Sequence, residues 1–230
     1  MTLLSKGFIG VVGVASGTGV VAFGVYKLNS SEELKTISSL INSQRNKRKL
    51  IKSESGSEEA WKTAWQEYRK NFNNLDTNPF SLTWTKGDSP ASENATQAFM
   101  DACEVQGTKK VKDSKSKDYE LFLKYCARDT LMSDLVSENS KRKALVKKDS
   151  ESEDANWKAV WEEYKKENKD KSNQKDHWKL NDWSTKHSEN KVPVSFMERC
   201  DQELKRVYYD NEGDDYKKVI SWCTETSPSS

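Results

Sequence analysis

The feature that most constrains this chain is an internal repeat: segments of residues 36–130 return in residues 131–226 at an offset of 95 to 99 positions. Ile37-Ser38-Ser39-Leu40-Ile41 pairs with Met132-Ser133-Asp134-Leu135-Val136, and Lys47 to Lys52 pairs with Arg142 to Lys147. Trp61-Lys62-Thr63-Ala64-Trp65-Gln66-Glu67-Tyr68 answers Trp157-Lys158-Ala159-Val160-Trp161-Glu162-Glu163-Tyr164. Phe80 to Trp84 answers Trp178 to Trp183, Phe99 to Cys103 answers Phe196 to Cys200, and Tyr125-Cys126 answers Trp222-Cys223. Self-similarity at a nearly fixed spacing means one structural unit used twice, with the drift absorbed by insertions in loops. The expected organisation is an anchor over 1–28, a linker over 29–35, module copies over 36–130 and 131–226, and a tail over 227–230.

Each copy reads as mainly helical. Trp61, Ala64, Trp65 and Tyr68 fall at i, i+3, i+4 and i+7, and Trp157, Val160, Trp161 and Tyr164 repeat the pattern. That spacing places them on one face of a helix, with Lys, Glu, Gln and Arg on the others. The polar runs before them, Ser53 to Glu59 and Asp149 to Asp154, suit helix starts. Leu34 to Ile51 is a further amphipathic candidate, Glu93 to Glu104 and Tyr119 to Arg128 are short helices, and Asn73 to Ser92 is a loop. The expected fold is therefore mainly α, a transmembrane helix followed by two tandem copies of a small module of about four helices.

Composition sets how such a module is held together. Charged residues make up 32% of the chain and the hydrophobic set only 34%, with a mean hydropathy of −0.94. A module of this size and polarity buries only a thin core and gains from covalent staples. Cys103 and Cys126 lie 23 positions apart, as do Cys200 and Cys223. They are read as one disulfide inside each copy, contributing roughly 3 kcal/mol in the chain-entropy model. Four buried free thiols are the alternative. Zinc fits poorly, because no CxxC or neighbouring His completes a tetrahedral set. In a chain poor in Leu and Val, the stripe Trp61, Trp65, Tyr68, Trp157, Trp161 and Tyr164 reads as core rather than as surface binding anchors, and so do Phe72 and Phe80.

Residues 7–26 carry no charge and are bracketed by Lys6 and Lys27. As a helix they span about 30 Å, the thickness of a bilayer core. Val14-Ala15-Ser16 offers a signal-peptide cleavage site, but the apolar run continues ten residues past Ser16, which suits an uncleaved anchor. Gly17-Thr18-Gly19-Val20-Val21-Ala22 matches a dinucleotide fingerprint in letters only, since no βαβ pattern follows it. The flanking lysines are nearly balanced. A long hydrophilic region after a first span led by Lys6 favours export of that region.

The 38 Lys and Arg are nearly balanced by 36 Asp and Glu, which argues against a nucleic-acid partner. The basic clusters Arg45 to Lys52 and Lys141 to Lys148 read as solvated helix faces, with contact to an anionic surface as the functional alternative. The two histidines, His177 and His187, both fall in the second copy. No GxSxG, HExxH or Walker A motif is present, so no catalytic, cofactor-binding or metal-ligating set is expected and the chain reads as non-enzymatic.

The arrangement resembles the paralogous, uncharacterised membrane proteins of haemotropic mycoplasmas. The likeness is carried by the start MTLLSKGFIGVVGVASGTGVVAFGVY, the WKTAWQEY and WKAVWEEY helices, the FMDAC and FMERC segments, and the terminal YC and WC pairs. It covers most of the chain and implies a single-pass cell-membrane protein exposed at the surface; two modules rather than one are a departure from the commoner pattern. The expected role is display or adhesion towards a host or surface macromolecule. An intracellular scaffold held to the inner leaflet by the basic clusters is the alternative, and a carboxylate-based hydrolase a weaker one.

Overall fold

A computed structural model describes residues 33–85 and 93–226. The apolar span 7–26 and the tail 227–230 lie outside the described residues, and no helix among the described residues is long and apolar enough to cross a membrane.

The first half opens with strand β1 (Lys35–Thr36), helix α1 (Ile37–Asn42) and strand β2 (Lys47–Lys49). Helix α2 (Glu59–Phe72) follows, then α3 (Gln97–Thr108), β3 (Lys110–Val111), α4 (Lys117–Tyr125) and β4 (Ala127–Asp129). The second half runs α5 (Met132–Glu138), β5 (Arg142–Ala144), α6 (Ala155–Glu167), α7 (Trp183–Lys186), α8 (Val194–Lys205), α9 (Asp214–Cys223) and β6 (Thr224–Thr226). Helix starts are set locally. The side chains of Thr36, Thr96, Ser116 and Asp154 accept hydrogen bonds from first-turn backbone N–H groups, which supplies partners the helix itself cannot.

Among the described residues strands occur only as antiparallel pairs: β1 with β3, β2 with β4, and β5 with β6. The β2–β4 and β5–β6 pairs each tie the start of a half to its end. The stretch Leu34 to Ile51 is thus not one helix. Helix α1 stops at Asn42, and the basic residues beyond it form an edge strand, Lys47 opposite Asp129 and Lys49 opposite Ala127. The segment Tyr119 to Arg128 divides likewise, α4 ending at Tyr125 before β4 begins.

Two apolar clusters form, one in each half. In the first, Trp61, Trp65 and Tyr68 of α2 pack against Phe99 of α3 and Tyr125 of α4. In the second, Trp157, Trp161 and Tyr164 of α6 pack against Phe196 of α8, and Tyr164 meets Trp222 of α9. The ring geometry is matched: Trp61 meets Phe99 edge-on at 5.9 Å, and Trp157 meets Phe196 edge-on at 6.1 Å. Indole donors are matched too, Trp61 Nε1 to the Ile51 carbonyl and Trp157 Nε1 to the Val146 carbonyl. Gly56, at φ +63°, lies where a Cβ would fall 2.1 Å from the Ala95 carbonyl oxygen, so this turn requires glycine.

The halves join at Thr130, which is fully buried. Its N–H donates to Asn46 O, its carbonyl accepts from Tyr208 N–H, and its hydroxyl donates to Arg45 O while accepting from Arg48. Arg48 also donates to Glu138 at 2.8 and 3.1 Å. The bonds to Tyr208 and Glu138 cross from the first half into the second.

Candidate functional site

The four cysteines close two bridges, Cys103–Cys126 and Cys200–Cys223, with Cα atoms 5.4 and 5.5 Å apart. Each fixes a helix, α3 or α8, to the end of the last helix in its half. All six aromatics of the stripe, Trp61, Trp65, Tyr68, Trp157, Trp161 and Tyr164, are at most 2% exposed. They therefore form core rather than an exposed aromatic platform. Phe72 and Phe80 are partly buried and pack against the first cluster.

Sequence reasoning missed a buried polar clasp beneath this stripe. Tyr68 Oη donates to Asn78 Oδ1 at 2.6 Å and accepts from Phe80 N–H, while Asn78 Oδ1 also accepts from Leu82 N–H. Tyr164 Oη donates to Asp176 and accepts from Trp178 N–H, and Asp176 accepts from Leu180 N–H. Phe80 and Trp178 then stack on the two tyrosine rings at 4.8 and 5.1 Å. Ser81 and Lys179 adopt the same left-handed backbone, φ 53° and 54°. Burial pushes the Tyr68 hydroxyl up to about 12. Burial, then the bond to Asp176, raises Tyr164 as well. The signal in the sequence was the NPFSL and DHWKL pair, an Asn or Asp two residues ahead of an aromatic and four ahead of a leucine.

The basic clusters lie on strands and turns rather than helix faces, and much of their charge is matched. Lys47 pairs with Asp129, Arg48 with Glu138, Lys52 with Asp101, and Lys147 with Asp149 and Glu198. Paired in this way they project only a weak field towards an anionic surface.

The halves differ in two polar networks. In the first, Gln106 and Lys109 both donate to Asp118, and these bonds hold the Asp118 carboxyl below its ordinary value. In the second, Arg206 bridges Glu203 and Asp215, with Arg199 donating to Glu203 at 2.7 Å. His177 lines a cavity of about 250 Å³ beside these charges. Burial, then the nearby Lys218 charge, lowers its pKa, while Asp215 and Glu203 oppose the shift. Among the described residues neither histidine ring is bonded to a carboxyl or hydroxyl, and no cluster of three His, Cys, Asp or Glu could hold a metal ion. The second difference surrounds Arg69 of α2. Its guanidinium lies between the rings of Trp65 and Trp84, at 5.3 and 5.0 Å, and is bound by Glu93. Lys165 of α6 stands in its place over Trp161. A cavity of about 470 Å³ lies between the halves, lined by Asn42, Gln44, Arg45, Leu135, Glu138 and Tyr209 among others.

Fold and site together define a mainly helical, disulfide-linked protein with small two-stranded sheets. Two disulfides in so short a folded region indicate an oxidising, extracytoplasmic location. No protein-family model, curated protein or solved structure matches the chain.

Proposed function

We propose that this chain is a membrane-anchored surface protein, made of two copies of one helical module, that acts by display or adhesion rather than by catalysis. The observation that carries this reading is the pair of disulfides, set at the same 23-residue separation in each half. Such bridges persist where the compartment is oxidising, and they suit a module whose core is thin. The matched indole bonds and the two tyrosine clasps support the duplication. The uncharged run 7–26 supports the anchor, and the resemblance to surface proteins of haemotropic mycoplasmas points the same way. An inner-leaflet scaffold would need the basic clusters free for lipid, yet Lys47, Arg48 and Lys52 each hold a carboxylate of the protein itself.

The test is labelling of intact cells with a membrane-impermeant amine reagent, read by mass spectrometry. Display predicts label on exposed lysines of both halves, such as Lys70 and Lys205. A chain labelled only after lysis would overturn it.

A further inference from the structure

In the first half, Trp65 and Arg69 converge on one carboxylate. Glu93 Oε2 lies 3.4 Å from Trp65 Nε1 and 3.0 Å from Arg69 Nη1. The second half keeps the rings but not the acid. Trp161 and Trp183 cross edge-on at 5.7 Å, as Trp65 and Trp84 do at 6.0 Å. Lys165 replaces Arg69, its Nζ 5.7 Å from the centre of the Trp161 ring. The backbone bond from Ala95 to Gly56 has its counterpart in the bonds between Val192 and Ser152, which sets Asn190 against Glu93. Asn190 is neutral and exposed.

Two observations then point to a ligand. Trp161 is 0% exposed, and its Nε1 has no hydrogen-bond partner among the described residues. A buried donor left unpaired is costly, and such groups mark places where an acceptor is missing. Lys165 and Trp183, which both meet the Trp161 ring, line a cavity of about 330 Å³ together with Lys166, Lys169, Lys171 and His187, and Glu162 is the one acid among its described lining residues. Lys165 is held by Glu162 at 2.6 Å and Lys166 by Glu163 at 2.9 Å. Among the described residues Lys169 and Lys171 make no ion pair.

We propose that the second half binds a carboxylate from outside the chain, at the place where the first half uses its own Glu93. One ligand oxygen takes the Trp161 indole N–H, Lys165 turns from Glu162 to the ligand, and Lys169 and Lys171 hold the outer charge. The first half is the template: an indole edge and a cation over the same ring meet a single carboxylate oxygen. The carboxylate comes from an acidic side chain of a partner polypeptide or from an acidic sugar. The inference stands independently of the side of the membrane on which the chain lies.

The test is a titration of the full chain followed by the nitrogen–proton resonances of its eight indoles, with Trp161 assigned from Trp161→Phe. The probes are glutamate blocked at both backbone ends, glucuronate, and inorganic phosphate. A saturable shift of the Trp161 resonance with either carboxylate supports the site, and which of the two binds identifies the source. Lys165→Met should weaken that binding about tenfold, the scale of one charge-assisted hydrogen bond. Asn190→Glu should move the resonance without any probe and block titration, because it supplies the acid within the chain. An unmoved Trp161 resonance with both carboxylates would overturn the proposal, and so would an equal shift with phosphate or unaltered binding in Asn190→Glu.

Discussion

Asp134 receives both terminal nitrogens of Arg128, at 2.6 and 2.8 Å, across the point where the first half passes into the second. Arg128 belongs to β4 and Asp134 to the first turn of α5. Asp134 also accepts from Leu131 N–H and so closes the start of α5. One carboxylate therefore links a strand of one half to a helix of the other.

This pair makes stability depend on acid. Burial raises the Asp134 pKa, but the Arg128 bond, the Leu131 N–H and the charges of Arg128 and Arg48 outweigh it, holding the group below its ordinary 3.8. A carboxyl lowered in the folded state contributes stability above its unfolded value and loses it as the pH falls through the folded one. Asp134→Asn should cost roughly 1–2 kcal/mol at pH 7 by denaturant unfolding. The difference from the native chain should shrink below pH 3.8. A difference constant down to strong acid would show that the ion pair is not the source.

Removing one bridge should be felt mainly in its own half. Replacing Cys200 and Cys223 together by alanine should lower stability by roughly 3 kcal/mol, from the entropy of a loop of this length. Hydrogen exchange should then report faster opening of α8 and α9 than of α3 and α4. Equal loosening of both halves would mean that the junction at Thr130 makes them one cooperative unit.

The two tyrosine clasps differ in what they leave behind when cut. Tyr164→Phe strands Trp178 N–H and removes a donor from Asp176, which is 3% exposed. Its expected cost is roughly 2–3 kcal/mol. Tyr68→Phe likewise strands Phe80 N–H, but it leaves Asn78, a neutral amide still bonded to Leu82 on both of its polar atoms, and should cost less, about 1 kcal/mol. Chemical denaturation of the two variants gives the ranking directly.

Alkali tests the same clasps by another route. A hydroxyl raised in the folded state contributes stability that is complete below its unfolded pKa and is lost as the pH climbs through the folded value. For Tyr68 that window runs from 10.0 to about 12. Tyrosinate absorbance should therefore show at least two late-titrating residues, Tyr68 and Tyr164, released together with unfolding. Early, reversible ionisation of all the tyrosines would contradict the buried clasp.

The helical faces and cysteine spacings were legible because both follow from periodicity. Trp61, Ala64, Trp65 and Tyr68 show a helix by position alone, and paired cysteines in repeated contexts invite pairing. Short strands show no such period. Lys47 to Lys49 is three charged residues, and nothing local distinguishes them from a solvated helix face. Their state is decided by β4, about eighty positions away, which no window along the chain contains. Asn78 and Asp176 were illegible for a related reason. A polar residue in a turn is ordinary, and only the arrival of Tyr68 or Tyr164 from another element covers Asn78 in part and Asp176 almost wholly. The replacement of Arg69 by Lys165 looks conservative as a letter change. It becomes significant only when Glu93 is seen to take both Arg69 and the Trp65 indole N–H, while the Trp161 indole N–H has no partner among the described residues.

The two bridges, one in each half, carry the assignment to an oxidising compartment. Peptide mass spectrometry of the protein, alkylated in intact cells and digested without reduction, tests this pairing. The account predicts two cross-linked peptide pairs, Cys103 with Cys126 and Cys200 with Cys223, and no alkylated cysteine. Four alkylated thiols, or a bridge between the halves, would contradict it.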